Sequence, residues 1–232
     1  MRPRTHKTSP AKLYVKGGRT RAAIVSQALR IASREGLPAL TIGRLARELR
    51  MSKSGPFAHF RSKEALELAT VDRASQVFAD KVLFFAEGEY EGLEALWNLC
   101  DRWLEHIEKA VFRGGYFFTG AFFECAQQHG PVPDRITETV QEWFEAVKNA
   151  VGQAHKHWEI RLKVNPTRTA FELNGLLLGA YWAHLMGDRG ALEDARSAVL
   201  GHLQKLVTKE IPVEAFESVR AFRKYLKGER HA

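Results

Sequence analysis

The 232-residue chain predicts an all-α fold, a small N-terminal three-helix head with a helix-turn-helix followed by a larger helical body. Three observations support it. Apolar residues recur at helical spacing from Arg19 onward, and no segment alternates convincingly as a strand. Residues 41–60 read as two short helices joined by a tight turn. The charge is stepped: residues 1–66 hold 15 Lys and Arg against 3 Asp and Glu, whereas the rest holds 20 against 24. A cationic module attached to a near-neutral or acidic body points to a polyanion partner.

Residues 1–19 read as a flexible basic tail, because Pro3, Pro10 and Gly17-Gly18 interrupt a stretch of low apolar content. Its cations are Arg2, Arg4, Lys7, Lys12, Lys16 and Arg19, and it has no acidic residue. Such an arm can follow a helix-turn-helix into a minor groove, or can simply keep the chain soluble. Thr20 then caps a helix to about Glu35, with Ala23, Ile24, Ala28 and Ile31 inward and Gly36 ending it. Thr41 caps the next helix, whose Ile42, Leu45, Ala46 and Leu49 form one buried stripe. Arg50-Met51 makes the corner, and Ser52 is the N-cap candidate for a short helix from Lys53 to about His59. That helix is too short and polar to fold alone. Phe57 and Phe60 anchor its end, and its outer face stays free for a DNA major groove. Ser62-Lys63-Glu64 opens a long helix to about Phe85, which leaves the head and enters the body.

Residues 20–66 resemble the N-terminal domain of the TetR/AcrR family of transcriptional regulators. The likeness runs from Arg21 through Ala28, Ala32, Gly36, Thr41, Ile42, Leu45, Ala46, Ser52, Gly55, Phe57, His59, Phe60, Ser62, Lys63 and Glu64 to Leu66. It implies a DNA interface of Thr41, Lys53, Ser54, Gly55, Phe57, His59 and Lys63. Lys53 and Ser54 would face base edges, and Thr41, His59 and Lys63 would face phosphates. Phe57 departs from the family, which usually has a tyrosine there whose hydroxyl reaches a phosphate; the ring remains and the donor is lost.

The resemblance implies that the remaining residues, 67–232, form an effector-binding and dimerisation domain, with helices expected at about 90–111, 116–129, 133–158, 166–187, 190–209 and 213–227. All five Trp and twelve of the fourteen Phe lie there. The segment from Gly115 to Glu124 is apolar on nearly every side, so it is buried all round or lines a cavity. The family resemblance implies a pocket for a small effector, with Trp103, Phe118, Phe122 and Trp143 as candidate walls. Glu124, His106, Asn174 and His184 are polar groups within apolar stretches, where an unpaired burial costs about 1–3 kcal/mol. Plain core packing or surface placement is the competing reading for each. In residues 166–209 the small residues Gly175, Gly179 and Ala183 recur every four positions, and Ala191, Ala195, Ala198 and His202 give a second narrow stripe. Together they suggest half of a four-helix bundle completed by a two-fold mate.

Other classes find little support. There is no run of about 18 apolar residues and no secretory h-region. Cys100 and Cys125 match neither a disulfide framework nor a metal spacing, which suits a reducing cytoplasm. His155 and His157 point to different helix faces, and no phosphate loop or catalytic motif occurs. The expectation is a non-enzymatic homodimer, without metal or cofactor, that binds double-stranded DNA at a palindromic operator and is released by a small-molecule effector. Two alternatives share its residues: a DNA-coating protein indifferent to sequence, and a ligand-binding protein with a degenerate head.

Overall fold

The computed structural model describes residues 10–83, 90–112 and 117–228, with side chains from Gly18 onward. The head comprises α1 (Pro10–Glu35), a single 3-10 turn (Leu37–Ala39), α2 (Ile42–Glu48) and α3 (Ser54–His59). The body comprises α4 (Lys63–Phe78), α5 (Gly92–Glu108), α6 (Phe117–Cys125), α7 (Pro131–Lys156), α8 (Pro166–Leu185), α9 (Ala191–Gln204) and α10 (Val219–Leu226). Among the described residues no strand forms, and one isolated antiparallel bridge joins Ile160 and Val207.

Several boundaries differ from expectation for identifiable reasons. Helix α1 starts at Pro10 rather than Thr20 and passes through Gly17-Gly18. A proline is tolerated in a first helical turn, and a glycine weakens a helix by about 1 kcal/mol without breaking it. Residues 1–9 of the expected tail lie outside the described residues. Ile24, Ala28 and Ile31 are buried, but Ala23 faces solvent. Helix α4 ends at Phe78 and continues as a π-turn over Ala79–Leu83; the expected end at Phe85 lies outside the described residues. The segment 213–227 divides into a 3-10 turn (Val213–Phe216) and α10, where Ser218 caps the new helix through Ala221 N–H.

Helix α4 crosses from head to body. Its head end packs on α1, and Phe78, Val82 and Leu83 beyond it are buried in the body core. The Ser75 hydroxyl lies 2.6 Å from that of Thr139 on α7, and Asp72 accepts an ion pair from Arg135 at 3.3 Å. Helices α5, α7, α8 and α9 pack successively around this core. Arg196 on α9, 7% exposed, fixes α9 to α5 through Asp101 at 2.9 Å and Glu108 at 2.8 Å. Arg223 on α10 meets the same Asp101 at 2.7 Å, and Phe222 packs edge-on against Trp97.

Candidate DNA interface and effector site

The head is built to present α3. Helix α2 is capped by Thr41, whose Oγ1 accepts from Arg44 N–H at 3.1 Å, and Leu45 and Ala46 face inward. Arg44 locks α2 to the end of α1, donating to both oxygens of Glu35 at 2.7 and 2.6 Å. The hydrogen bond from Arg44 holds the Glu35 carboxyl below its ordinary value. Arg50 takes φ +53° at the corner, as Arg50-Met51 predicts for a tight turn, and Met51 N–H returns to Ala46 C=O at 2.8 Å.

Helix α3 starts one residue later than expected, at Ser54. Ser52 does not cap it, because its hydroxyl meets that of Ser54 at 2.8 Å. Pro56 and Phe60 point into the head, and the Arg21 guanidinium lies 5.0 Å over the Phe60 ring; Phe57, expected as a second anchor, faces solvent instead, because Pro56 takes the inward position beside it. Gly55 is half-buried against Met51. The outward face carries Lys53, Ser54, Phe57, Ala58 and Arg61, all exposed. His59 is half-buried. Lys63, at the start of α4, reaches Glu67 at 3.3 Å and remains about half exposed. Among the described residues, the exposed cations Arg47, Arg50, Lys53 and Arg61 take no carboxylate partner. Arg47, Arg50 and Arg61 were absent from the sequence-derived interface. Their positions off the buried stripes of α2 and α3 are the signal that finds them.

In the body, four of the seven effector candidates are buried aromatic or imidazole side chains. Phe78 is the hub: His106, Phe118 and Trp143 surround it at ring distances of 5.9, 5.8 and 6.3 Å. Trp103 pairs edge-on with Tyr181 of α8. Burial, with Lys81 adding a smaller effect, pushes the His106 imidazole down to about 4, so it is neutral at physiological pH. The Trp143 indole N–H is buried without an acceptor among the described residues. Phe122 stands apart, 43% exposed on the outer face of α6. Asn174 is half-buried on α8.

Glu124 lies at the end of α6, on the wall of a groove between head and body. Its carboxylate accepts from Leu37 N–H at 2.9 Å, so the end of α6 holds the first amide of the head's 3-10 turn. Gly36, just before it, adopts φ 84° and ψ 164°, a region essentially reserved for glycine. A Cβ there would also collide with the Glu124 carboxylate. The body uses the same device at Gly92, φ +57°, where Glu159 accepts from Leu93 N–H at 2.8 Å. Beside Glu124 lies a groove of about 330 Å³ between head and body, lined by Gly36, Phe117, Gly120, Ala121 and Tyr181 among others. Phe117 meets Phe118 edge-on and Phe112 at a tilt, linking the groove to the aromatic cluster.

On α8, Phe171, Trp182, Leu185 and Met186 are 57–81% exposed and share a face with Gly175 and Gly179. Both glycines have open space where a side chain would point. Ala198 is exposed on α9, Ala183 is half-buried, and His202 is half-buried 3.5 Å from Glu172. Ala195 is a correction to the expected dimer stripe: it is 5% exposed and lies on the inward row with Ala191, Leu192, Val199 and Leu203.

A three-helix head displaying α3, fixed to a helical body, is the architecture of a DNA-binding regulator with a separate sensing domain. The family model "Bacterial regulatory proteins, tetR family" matches residues 24–70, and "Tetracyclin repressor-like, C-terminal domain" matches residues 92–199. The chain belongs to the TetR family of transcriptional regulators. Among curated proteins nothing matches. A TetR transcriptional regulator from Chloroflexus aurantiacus J-10-FL is 23% identical, with TM-score 0.76, over 83% of this chain and 98% of that one. AibR, solved with isovaleryl coenzyme A and operator DNA, is 22% identical, with TM-score 0.64, over 81% and 97%. A regulator from Saccharomonospora viridis, solved with choline, is 18% identical, with TM-score 0.66, over 83% and 100%. At these identities the likeness is one of fold.

Proposed function

We propose that this chain is a homodimeric repressor, held on a palindromic operator by two heads and released when a small effector enters the body. The observation that carries this reading is the outward face of α3, where Lys53 and Ser54 stand exposed among partnerless cations. A short helix whose inner face is anchored by Pro56 and Phe60 is placed to enter a major groove, while Arg47, Arg50, Arg61 and Lys63 neutralise phosphates. The apolar face of α8 supports dimerisation, because exposed apolar area of that kind marks an interaction site. The effector reading rests on the cluster of His106, Phe118 and Trp143 around Phe78, with Phe117 joining it to the groove beside Glu124. A largely apolar or aromatic molecule offering one acceptor to Trp143 N–H suits that environment. Two solved relatives carry small molecules, isovaleryl coenzyme A and choline, which agrees with a sensing role for the fold.

Selection of binding sites from random duplex DNA tests this reading, and a two-fold symmetric motif is the expected outcome. Binding without a motif would favour a DNA-coating protein, and no binding at all would favour a degenerate head. On the selected site, Lys63→Ala should weaken binding for all sequences alike and lower the salt slope by about 1 per head. An unchanged slope would remove Lys63 from the phosphate contacts.

A further inference from the structure

We infer that Phe57 reads a thymine methyl group in each half of the operator. Among the described residues of the head, Phe57 is the one large apolar side chain left exposed, at 56%. It is not a stray surface residue. It sits on the same outward face as Lys53 and Ser54, with the exposed methyl of Ala58 beside it. Its neighbours Pro56 and Phe60 are turned into the head and fully engaged, so the helix cannot roll to bury the ring without exposing them.

The chemistry narrows what can cover this ring. A phenyl group has no hydrogen-bond donor, so it gains nothing from a phosphate oxygen. Among base edges in the major groove, the 5-methyl of thymine is the apolar feature, and phenylalanine is suited to meet it. A ring flanked by Lys53 and Ser54 on one helical face approaches base edges when they do. This inference rests on the proposed sequence-specific DNA binding, and its test separates the two.

The test uses the full-length protein and the duplex found by site selection. Each thymine is replaced in turn by deoxyuridine, which removes the methyl and leaves base pairing intact. One symmetry-related thymine per half-site should respond, with affinity falling about fourfold for one half-site, the effect of uncovering one methyl-sized group. In Phe57→Ala that sensitivity should vanish while preferences set by Lys53 persist; in Phe57→Leu, which keeps an apolar contact, it should remain. Placing 5-methylcytosine where cytosine replaces the thymine should recover part of the loss for wild type and Phe57→Leu but not for Phe57→Ala. If a symmetric motif is selected but no thymine is sensitive, or the sensitivity survives in Phe57→Ala, the inference is overturned and sequence-specific binding stands. If no motif is selected, both fail. Phe57 is exposed, so the variants should melt like wild type, and a lowered melting temperature would assign the ring a structural role instead.

Discussion

At the scale of single residues, the same polar types serve different ends according to what surrounds them. His106 and Glu124 both attract notice as polar groups in apolar sequence. Burial makes His106 a neutral member of an aromatic cluster, whereas Glu124 reaches out of the body to a backbone amide. Sequence spacing shows that such a residue is unusual, but only the fold shows its partner, because Leu37 lies 87 positions away. His106 yields a prediction. Its folded value, about 4, lies below the ordinary 6.5, so the unfolded chain takes up the proton first. The stability contributed by the neutral imidazole is present above pH 6.5 and is lost as the pH falls toward 4, to a ceiling of about 3 kcal/mol. Melting temperature followed from pH 7 to pH 4 should therefore fall more steeply in wild type than in His106→Met. Parallel profiles would mean that the carboxylates alone set the acid response.

At the scale of elements, legibility tracks how local the cause is. Helix α2 could be read because its cap Thr41 and its stripe lie within a few residues of one another. The start of α3 could not: Ser52 has the right chemistry for a cap, yet its hydroxyl is taken by Ser54. Helix α6 is the most instructive case. Its apolar sequence suggests a pocket wall, and Phe117, Phe118 and Ala121 do face the core, but its end is a tie to the head. If effector binding moves α6, the Glu124 carboxylate carries that movement to Leu37 and so to the turn before α2. Glu124→Ala should raise the hydrogen-exchange rate of the Leu37 amide. It should also shrink, by about tenfold, the ratio of operator affinities without and with effector. Gly36→Ala should destabilise the head by roughly 1–3 kcal/mol, since it forces a side chain into a glycine-only conformation and displaces the same carboxylate. An unchanged ratio in Glu124→Ala would place the coupling elsewhere, with α4 and its Ser75–Thr139 and Asp72–Arg135 links as the remaining route.

At the scale of the whole molecule, the charge step and the apolar face of α8 belong to one problem. A single head offers a six-residue recognition helix, too small a surface for selective binding to one site. In the proposed dimer, two heads fixed by a two-fold body would convert the second contact into an intramolecular event, which multiplies affinity without new chemistry. The small-residue stripe Gly175 and Gly179 was visible in sequence. Its meaning depends on knowing which neighbours fill the space, and among the described residues nothing outside the helix's own backbone and the glycine's two chain neighbours would lie within 4 Å of a side-chain carbon at either position. The inward turn of Ala195 shows the limit of spacing alone, because of the three alanines of α9 only Ala198 is exposed. Trp182, 57% exposed in the last turn of the α8 face, is the residue to change. A charge there should not disturb the subunit but would be desolvated in a dimer. Trp182→Asp should convert the protein to a folded monomer by light scattering, with helical content unchanged, and operator affinity should fall roughly a hundredfold or more. Binding to one isolated half-site should remain as in wild type, since each head is intact. A Trp182→Asp protein that stays dimeric would move the interface off α8, and one that is monomeric yet binds the full operator normally would show that the two heads act independently.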